Sequence, residues 1–405
     1  MIVIFLYRFQ IIRMNKQMKI PFHKPFIDDK EIEAVSDVLK SGWLTMGSKT
    51  FEFEAMFAEK VSARHAISFN SATSALHIAL SLYDIKPGDE IIVPAVTFVA
   101  TAETVRYFGA VPVFADVERD THNILIESVE KLITDKTKGI IPVHYSGLPA
   151  DLDPLFKICR KHNLFLIEDS AHAFPSFYKD KPIGSFESPS VFSFYANKTI
   201  TTGEGGMLTL SDDAMADKAK KMRLHGIDRD AWKRYSHDGS WMYDVTELGY
   251  KYNPTDISSS IGIEQLKKSD YMTRLRKDIC RKYNDLFSSS DSLELYPRKE
   301  GRESSNYIYP VKLKLESLSV SRDYVIDELK KRGISVSMHF IPLYRFSYYK
   351  EFYESIGKKN NFDSYPNSEY IFEREITLPL YPSMTDEELE YVAENLISIL
   401  SEKSK

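Results

Sequence analysis

The stretch AISFNSATSALHIALSLYDIKPGDEIIVPAVTFVATAETVRYFGAVPVF, residues 66–114, decides the fold. It opens on the short apolar run 66–69 and passes into a helical pattern carrying Ala75, Leu76, Ile78, Ala79 and Leu82. The turn Lys86-Pro87-Gly88-Asp89 leads to a second run, 90–94. A helical pattern over 99–107 and a third run, 111–114, complete the repeat. A half-exposed strand alternates apolar and polar residues, whereas uninterrupted apolar runs of this length suit strands covered on both faces. Strands taking turns with helices predict an α/β domain on a mainly parallel sheet.

The alternation continues through the runs 139–143 and 164–168, with helices expected over 127–133 and 153–162. Upstream, a helix over 29–40 carries Ile32, Val35 and Leu39 on one stripe. It ends at Gly42, a residue suited to the left-handed C′ position, and enters the loop Gly42-Trp43-Leu44-Thr45-Met46-Gly47. Beyond residue 265 the texture changes. A long polar helix runs to about 287, followed by a strand over 307–315, a helix over 321–332 stopped by Gly333, and a strand at ISVSMHF (334–340). The last helix starts at Thr385 with a Thr-x-x-Glu capping box and would bury Leu389, Val392, Leu396 and Leu400. These elements predict a large domain over 20–265 and a smaller α+β domain over 266–405.

With 53 Lys+Arg against 58 Asp+Glu, the net charge of −5 gives no electrostatic footprint for nucleic acid. The two cysteines, Cys159 and Cys280, are too few and too far apart for a disulfide framework or a cysteine-rich metal site. They read as reduced, buried thiols of a cytoplasmic protein, and no metal site is expected. The opening MIVIFLYRFQII is broken by Arg8 and Gln10 and falls short of the roughly 20 residues that span a bilayer. It also lacks the charge pattern and cleavage site of a signal peptide. Residues 1–19 are therefore expected to be an extension, with Met14 or Met18 as alternative starts that N-terminal sequencing would test.

Three constellations could carry chemistry. Asn70-Ser71-Ala72-Thr73-Ser74 lies between a strand and a helix, where free N–H groups and the helix dipole suit a phosphate. Its plainer reading is an N-cap. Glu168-Asp169 follows a buried strand, with His172 three residues on; a carboxylate there can hold a protonated heterocyclic nitrogen or simply cap a helix. Lys198 follows Ser193-Phe194-Tyr195-Ala196-Asn197 and precedes a Gly-rich turn, so it is either a desolvated nucleophile or a surface charge. The glycines lack the dinucleotide spacing and lead into a strand. Taken in order, an anion cradle, a carboxylate and a lysine are what pyridoxal phosphate requires, with Phe98 placed to lie on the ring.

The motifs GWLTMG (42–47), NSATSALHIAL (70–80), PAVTFVATAETV (94–105), IIPVHYSGLPADLDPL (140–155), IEDSAHA (167–173), FSFYANKTITTGEGGM (192–207), GYKYNPTDISSSIG (249–262) and LPLYPSMTDEE (378–388) together resemble the DegT/DnrJ/EryC1/StrS family. These are pyridoxal-phosphate-dependent sugar aminotransferases. The resemblance runs from Ile20 to the last helix. It implies the fold-type I, aspartate aminotransferase-like architecture, with a large mainly parallel-sheet domain and a smaller C-terminal α+β domain.

The resemblance also implies roles. Lys198 would bond the cofactor and shuttle protons, Asp169 would hold its pyridine nitrogen, and His172 would lie beside the ring and its 3-hydroxyl. Phe98 would stack on the ring, and Ala72, Thr73 and Ser193 would bind the phosphate. Asn253 would reach the cofactor phosphate of a neighbouring subunit, implying a homodimer with shared sites. Thr45 and His339 resemble substrate-side positions. The GWLTxG and GYKYN forms look most like nucleotide-sugar 4-aminotransferases, which transfer an amino group from L-glutamate to the C4 carbonyl of a nucleotide-linked keto sugar destined for lipopolysaccharide or a glycan. The 3-aminotransferases are the nearest alternative. Dehydratase relatives carry His in place of Lys198, and iron–sulfur relatives need a cysteine cluster this chain lacks. A non-catalytic binding protein would have no use for Lys198, Asp169 and Ser193 together. Two departures stand out: Tyr344 follows Leu343 where a second His is common, and Phe174-Pro175-Ser176 stands where Gly is common.

Overall fold

The computed structural model describes residues 18–228, 242–358 and 362–405, so the expected extension lies outside the described residues up to residue 17. The opening stretch forms β1 (His65–Phe69), α1 (Ala72–Ser81), β2 (Glu90–Pro94), α2 (Ala100–Arg106) and β3 (Val111–Ala115). They continue through β4 (Thr137–Ile140) into β5, which is split into Phe165–Leu166 and Glu168–Asp169, and then β6 (Ser190–Ser193) and β7 (Gly206–Leu210). Hydrogen bonding orders these strands β3-β2-β4-β5-β6-β7-β1, with the bridge between Val143 and Asp169 joining the two halves of the sheet. Only β7 runs against the rest.

The strands sit between two cores. Ile92, Ile140, Phe192 and Met207 enter one core, while their neighbours Ile91, Val93, Ile141, Val191 and Leu208 enter the other. Successive strand residues point to opposite faces, so a sheet covered on both sides needs apolar residues in succession. Every residue of β2 is accordingly buried. The carboxyl ends of β2, β4, β5 and β6 open on one edge of the sheet, the edge where α/β folds bind ligands.

A third core gathers the C-terminal elements. The strands β8 (Leu293–Leu295), β9 (Tyr309–Leu313) and β10 (Glu375–Leu378) form an antiparallel sheet. The helices α3 (Ser269–Phe287), α4 (Arg322–Lys331) and α5 (Asp386–Glu402) pack on it through Ile279, Tyr283, Val325, Leu329, Leu389, Val392, Leu396 and Leu400. Thr385 caps α5 reciprocally with Glu388, as the capping box predicts. Ile20 belongs to this core, so the first and last described segments meet in it.

One expectation needs correction. The segment 334–340 is not a strand. Ile334 makes one parallel bridge with Ile20, and Ser337 pairs with Thr377 through two backbone bonds of 2.8 and 3.1 Å. The segment then leaves the sheet and carries His339 and Phe340 towards His172. The early helix does form, over Asp29–Ser41, with Gly42 left-handed at φ 74°. Its stripe faces outward, however: Ile32 is 63% exposed and Leu39 54%. Glu31 and Val38 face inward instead. Lys268 at 2.6 Å and the Gln265 amide at 2.7 Å compensate the buried Glu31 carboxylate, which lets a charged residue take the inward position.

Candidate active site

Strand register assembles the anion cradle. Ser193 on β6 stands opposite Gly206 on β7, and Gly206 backs onto the start of α1. A Cβ built at Gly206 would lie 2.5 Å from the Ser71 carbonyl and 2.6 Å from the Ala72 nitrogen, so no side chain fits there. Ser71 caps α1 through the Ser74 N–H at 3.1 Å. Ala72 and Thr73 therefore sit in the first turn with Ser193 close by. Together with the helix dipole, this arrangement could hold a phosphate.

Asp169 occupies the carboxyl end of β5. The Thr101 hydroxyl donates to its Oδ2 at 2.7 Å and the Ala171 N–H to its Oδ1 at 3.2 Å. Burial pushes its carboxyl above the usual range, opposed by those two donors and by the charges of Lys198 and His144. Behind it, His144 contacts Glu168 at 2.9 Å and accepts the Ala150 N–H at 3.0 Å, an arrangement that braces the strand end. A buried carboxylate with this history of donors is suited to a cationic ring nitrogen, which would restore its full charge.

Lys198 leaves β6 through a turn closed by its N–H on the Tyr195 carbonyl at 2.9 Å. Its amine lies 4.3 Å from the centroid of the Tyr307 ring. Burial pulls the amine down to about 7, against the attraction of Asp169. Near neutral pH about half of it is therefore the free nucleophile. The charge of Lys198 also acts on three imidazoles, His23, His172 and His339. Burial, ahead of that charge, keeps His172 well below its ordinary value and brings His23 and His339 to about 3. One amine thus acts on three neutral imidazoles.

His172 lies between Tyr307 and Phe340, with centroid distances of 4.4 and 5.9 Å. Its Nδ1 is buried without a hydrogen-bond partner, which leaves a polar atom for a ligand hydroxyl. Phe98 is 57% exposed and lies 6.1 Å from Phe340, so a ring face is available. His339 contacts the Thr377 hydroxyl through Nδ1 at 2.8 Å, and its carbonyl accepts the Tyr145 hydroxyl at 2.6 Å. The cradle, the carboxylate, the amine and the orphaned imidazole nitrogen together fit pyridoxal phosphate.

Thr45 and Asn253 lie elsewhere on the surface of these loops. Thr45 bridges to Thr255, and Asp256 clamps the two loops by accepting the N–H groups of Gly47 and Thr50 at 2.7 and 3.0 Å. Asn253 accepts from Lys251 at 2.6 Å and donates to the Pro254 carbonyl at 3.0 Å, one residue beyond the bond from Asn70 N–H to the Tyr252 carbonyl. Among the described residues, no contact joins either side chain to Lys198.

The departures are structural. Phe174 enters the core against Phe57 at 5.0 Å, and its carbonyl accepts the Thr199 hydroxyl at 2.5 Å. The loop is fixed further by Ser305, whose hydroxyl donates to the His172 carbonyl at 2.6 Å. Tyr344 is a core residue that donates to Glu369 at 2.6 Å. Sequence reasoning missed Thr101, Tyr307, His23 and Phe340. Thr101 stood inside a quoted motif, but the others come from segments whose only signals were strand-like or terminal.

The model of the DegT/DnrJ/EryC1/StrS aminotransferase family matches residues 25–397. SpsC of Bacillus subtilis (strain 168), a spore coat polysaccharide biosynthesis protein, is 39% identical over 383 residues, covering 94% of this chain and 97% of SpsC. Spr1654 from Streptococcus pneumoniae, solved in its PMP form, matches with a TM-score of 0.87 at 35% identity, covering 95% of this chain and 99% of that one. A PLP form of the same protein matches equally. PseC of Helicobacter pylori, an aminotransferase involved in the biosynthesis of pseudoaminic acid, matches with a TM-score of 0.87 at 30% identity, covering 95% and 100% of the two chains. The similarity spans nearly the whole of each partner, and the chain belongs to the DegT/DnrJ/EryC1/StrS family, the pyridoxal-phosphate-dependent sugar aminotransferases of fold type I.

Proposed function

We propose that the protein moves an amino group from L-glutamate to C4 of a nucleotide-linked keto-deoxysugar, supplying an amino sugar for lipopolysaccharide or another surface glycan. The observation that carries this reading is the assembly at one sheet edge of the cradle of Ala72 and Ser193, the buried Asp169 carboxylate held by Thr101, and the Lys198 amine over Tyr307. Pyridoxal phosphate, when bound, supplies an electron sink that makes the proton on the amine-bearing carbon removable. Lys198 holds the cofactor, then serves as the base that takes that proton and the acid that returns it. Asp169 keeps the pyridine nitrogen protonated, and Phe98 and His172 orient the ring. Ala72, Thr73 and Ser193 hold the phosphate, while His339 faces the sugar.

We further place the enzyme in the cytoplasm as a homodimer whose sites are shared through Asn253. The exposed apolar side chains Ile27, Ile32, Leu39 and Leu44 support the dimer by offering a second copy apolar surface to cover. The comparison with PseC, an aminotransferase of amino-sugar biosynthesis, supports the substrate class.

The test is spectroscopic. Protein loaded with pyridoxal phosphate should turn yellow, bleach on addition of L-glutamate, and regain colour with a nucleotide-linked 4-keto sugar. Failure to bleach would remove glutamate as the donor. Recovery with a 3-keto sugar alone would move the reaction to C3.

A further inference from the structure

His339 is held at both its backbone and its ring by one carboxylate. Its N–H donates to Glu375 Oε2 at 3.0 Å, and its Nδ1 lies 2.8 Å from the hydroxyl of Thr377, which in turn donates to Glu375 Oε1. Glu375 and Thr377 are fully buried alternate residues of β10, so they share a face of the strand. The two backbone bonds between Ser337 and Thr377 set His339 at this position. The loop of hydrogen bonds is closed, so the protonation of Glu375 dictates the direction of every bond along it.

We propose that Thr377 and Glu375 are positioning residues that choose which nitrogen of His339 carries its proton, and so whether the imidazole offers a bound sugar an acceptor or a donor. The proposal rests on reading His339 as a substrate-side residue. An ionised carboxylate only accepts hydrogen bonds, and a hydroxyl has one proton to give. With Glu375 ionised, Thr377 gives that proton to Glu375 and accepts from Nδ1–H, which leaves Nε2 with a free lone pair for the sugar. With Glu375 protonated on Oε1, the carboxyl donates to Thr377, Thr377 donates to Nδ1, and the proton of His339 resides on Nε2. The exchange balances with a single proton. One arriving at Nε2 displaces the Nδ1 proton to Thr377, whose own proton passes to Glu375.

His339 remains neutral throughout, because burial and then Lys198 bring it to about 3. The variable is therefore the tautomer. Glu375 is poised to titrate: burial raises it to about 8, opposed by Thr377, by the His339 N–H, by Arg322 at the start of α4 and by Lys312 on β9. Tyr145, which donates to the His339 carbonyl, feels the same carboxylate.

The test needs neither cofactor nor turnover. In apoprotein labelled with ¹⁵N-histidine, the two ring nitrogens report the tautomer directly, and His339→Gln identifies the signals. The expected result is Nδ1–H above about pH 8 and Nε2–H below it. Glu375→Gln, whose amide can donate to Thr377, should hold Nε2–H at every pH, and Thr377→Ser should keep the wild-type response. A wild-type tautomer indifferent to pH, or an unchanged response in Glu375→Gln, would overturn the proposal. In turnover, Glu375→Gln should lower kcat/KM for the keto sugar roughly tenfold relative to wild type above pH 8, for one misdirected hydrogen bond, and leave it near wild type below that pH. Bleaching by glutamate tests the proposed function separately, so failure of one reading leaves the other standing.

Discussion

The two ends of the site are built differently. The cradle end comes from neighbouring strands of one sheet: Ser193 pairs with Gly206, and Gly206 touches Ala72. The far end collects His23, His172, Tyr307 and His339 from four distant stretches around one amine. Backbone register and a helix terminus define the first. Side-chain burial defines the second, where it lowers the pKa values of the amine and the imidazoles. A cofactor's phosphate needs only fixed N–H groups, whereas proton transfer needs groups whose charge the interior controls.

The sharpest break of this contrast is at Lys198. Lys198→Ala should abolish transfer while leaving the cradle able to bind pyridoxal phosphate noncovalently, which equilibrium dialysis beside a turnover assay would show. Retained turnover would end the assignment. Phe174 lies under the imidazole end and should matter for stability. Phe174→Ala should lower unfolding free energy by about 3–5 kcal/mol in denaturant titration, and a change under 1 kcal/mol would show that its core contact is unimportant.

Asp169 joins the two ends. Asp169→Ala should weaken cofactor binding and slow transfer more than tenfold, since a charge-assisted bond at a buried site is worth about 1.5–3 kcal/mol. An unaffected variant would reduce Asp169 to a strand-end cap. Thr101→Val removes one donor to that carboxylate and should cost roughly three- to tenfold in cofactor affinity, measurable by titration of apoprotein. A smaller contrast concerns pH. Because burial lowers the Lys198 amine to about 7, its neutral fraction rises as pH rises through that value. The rate of covalent capture of an aldehyde by apoprotein should therefore climb and level off above pH 7, whereas an ordinary lysine would still be climbing near pH 10. Noncovalent phosphate affinity at the cradle should follow no such curve.

The same contrast explains what could be read in advance. Continuous apolar strands, the Thr385 capping box and the left-handed Gly42 are local patterns, and each appears as expected. Ala72, Thr73, Asp169, Ser193 and Lys198 were legible because each lies at the end of a strand or the start of a helix within a recognisable motif. The stripe of Ile32 and Leu39 was legible as a stripe, but periodicity shows that a helix has an apolar face without showing what covers it. ISVSMHF misled because alternation suits a strand equally well when only isolated residues of it, Ile334 and Ser337, are paired.

By itself the sequence determined the α/β architecture, the order of cradle, carboxylate and lysine, and the family. These depend on contacts between near neighbours and on motifs whose chemistry is local. Only the tertiary structure decided that Tyr307 lies under the amine, that Thr101 donates to Asp169, and that Glu375 reaches His339 through Thr377. Those partners are separated along the chain by tens of residues or by strand register. Their proton affinities come from burial, which a linear order of residues does not contain.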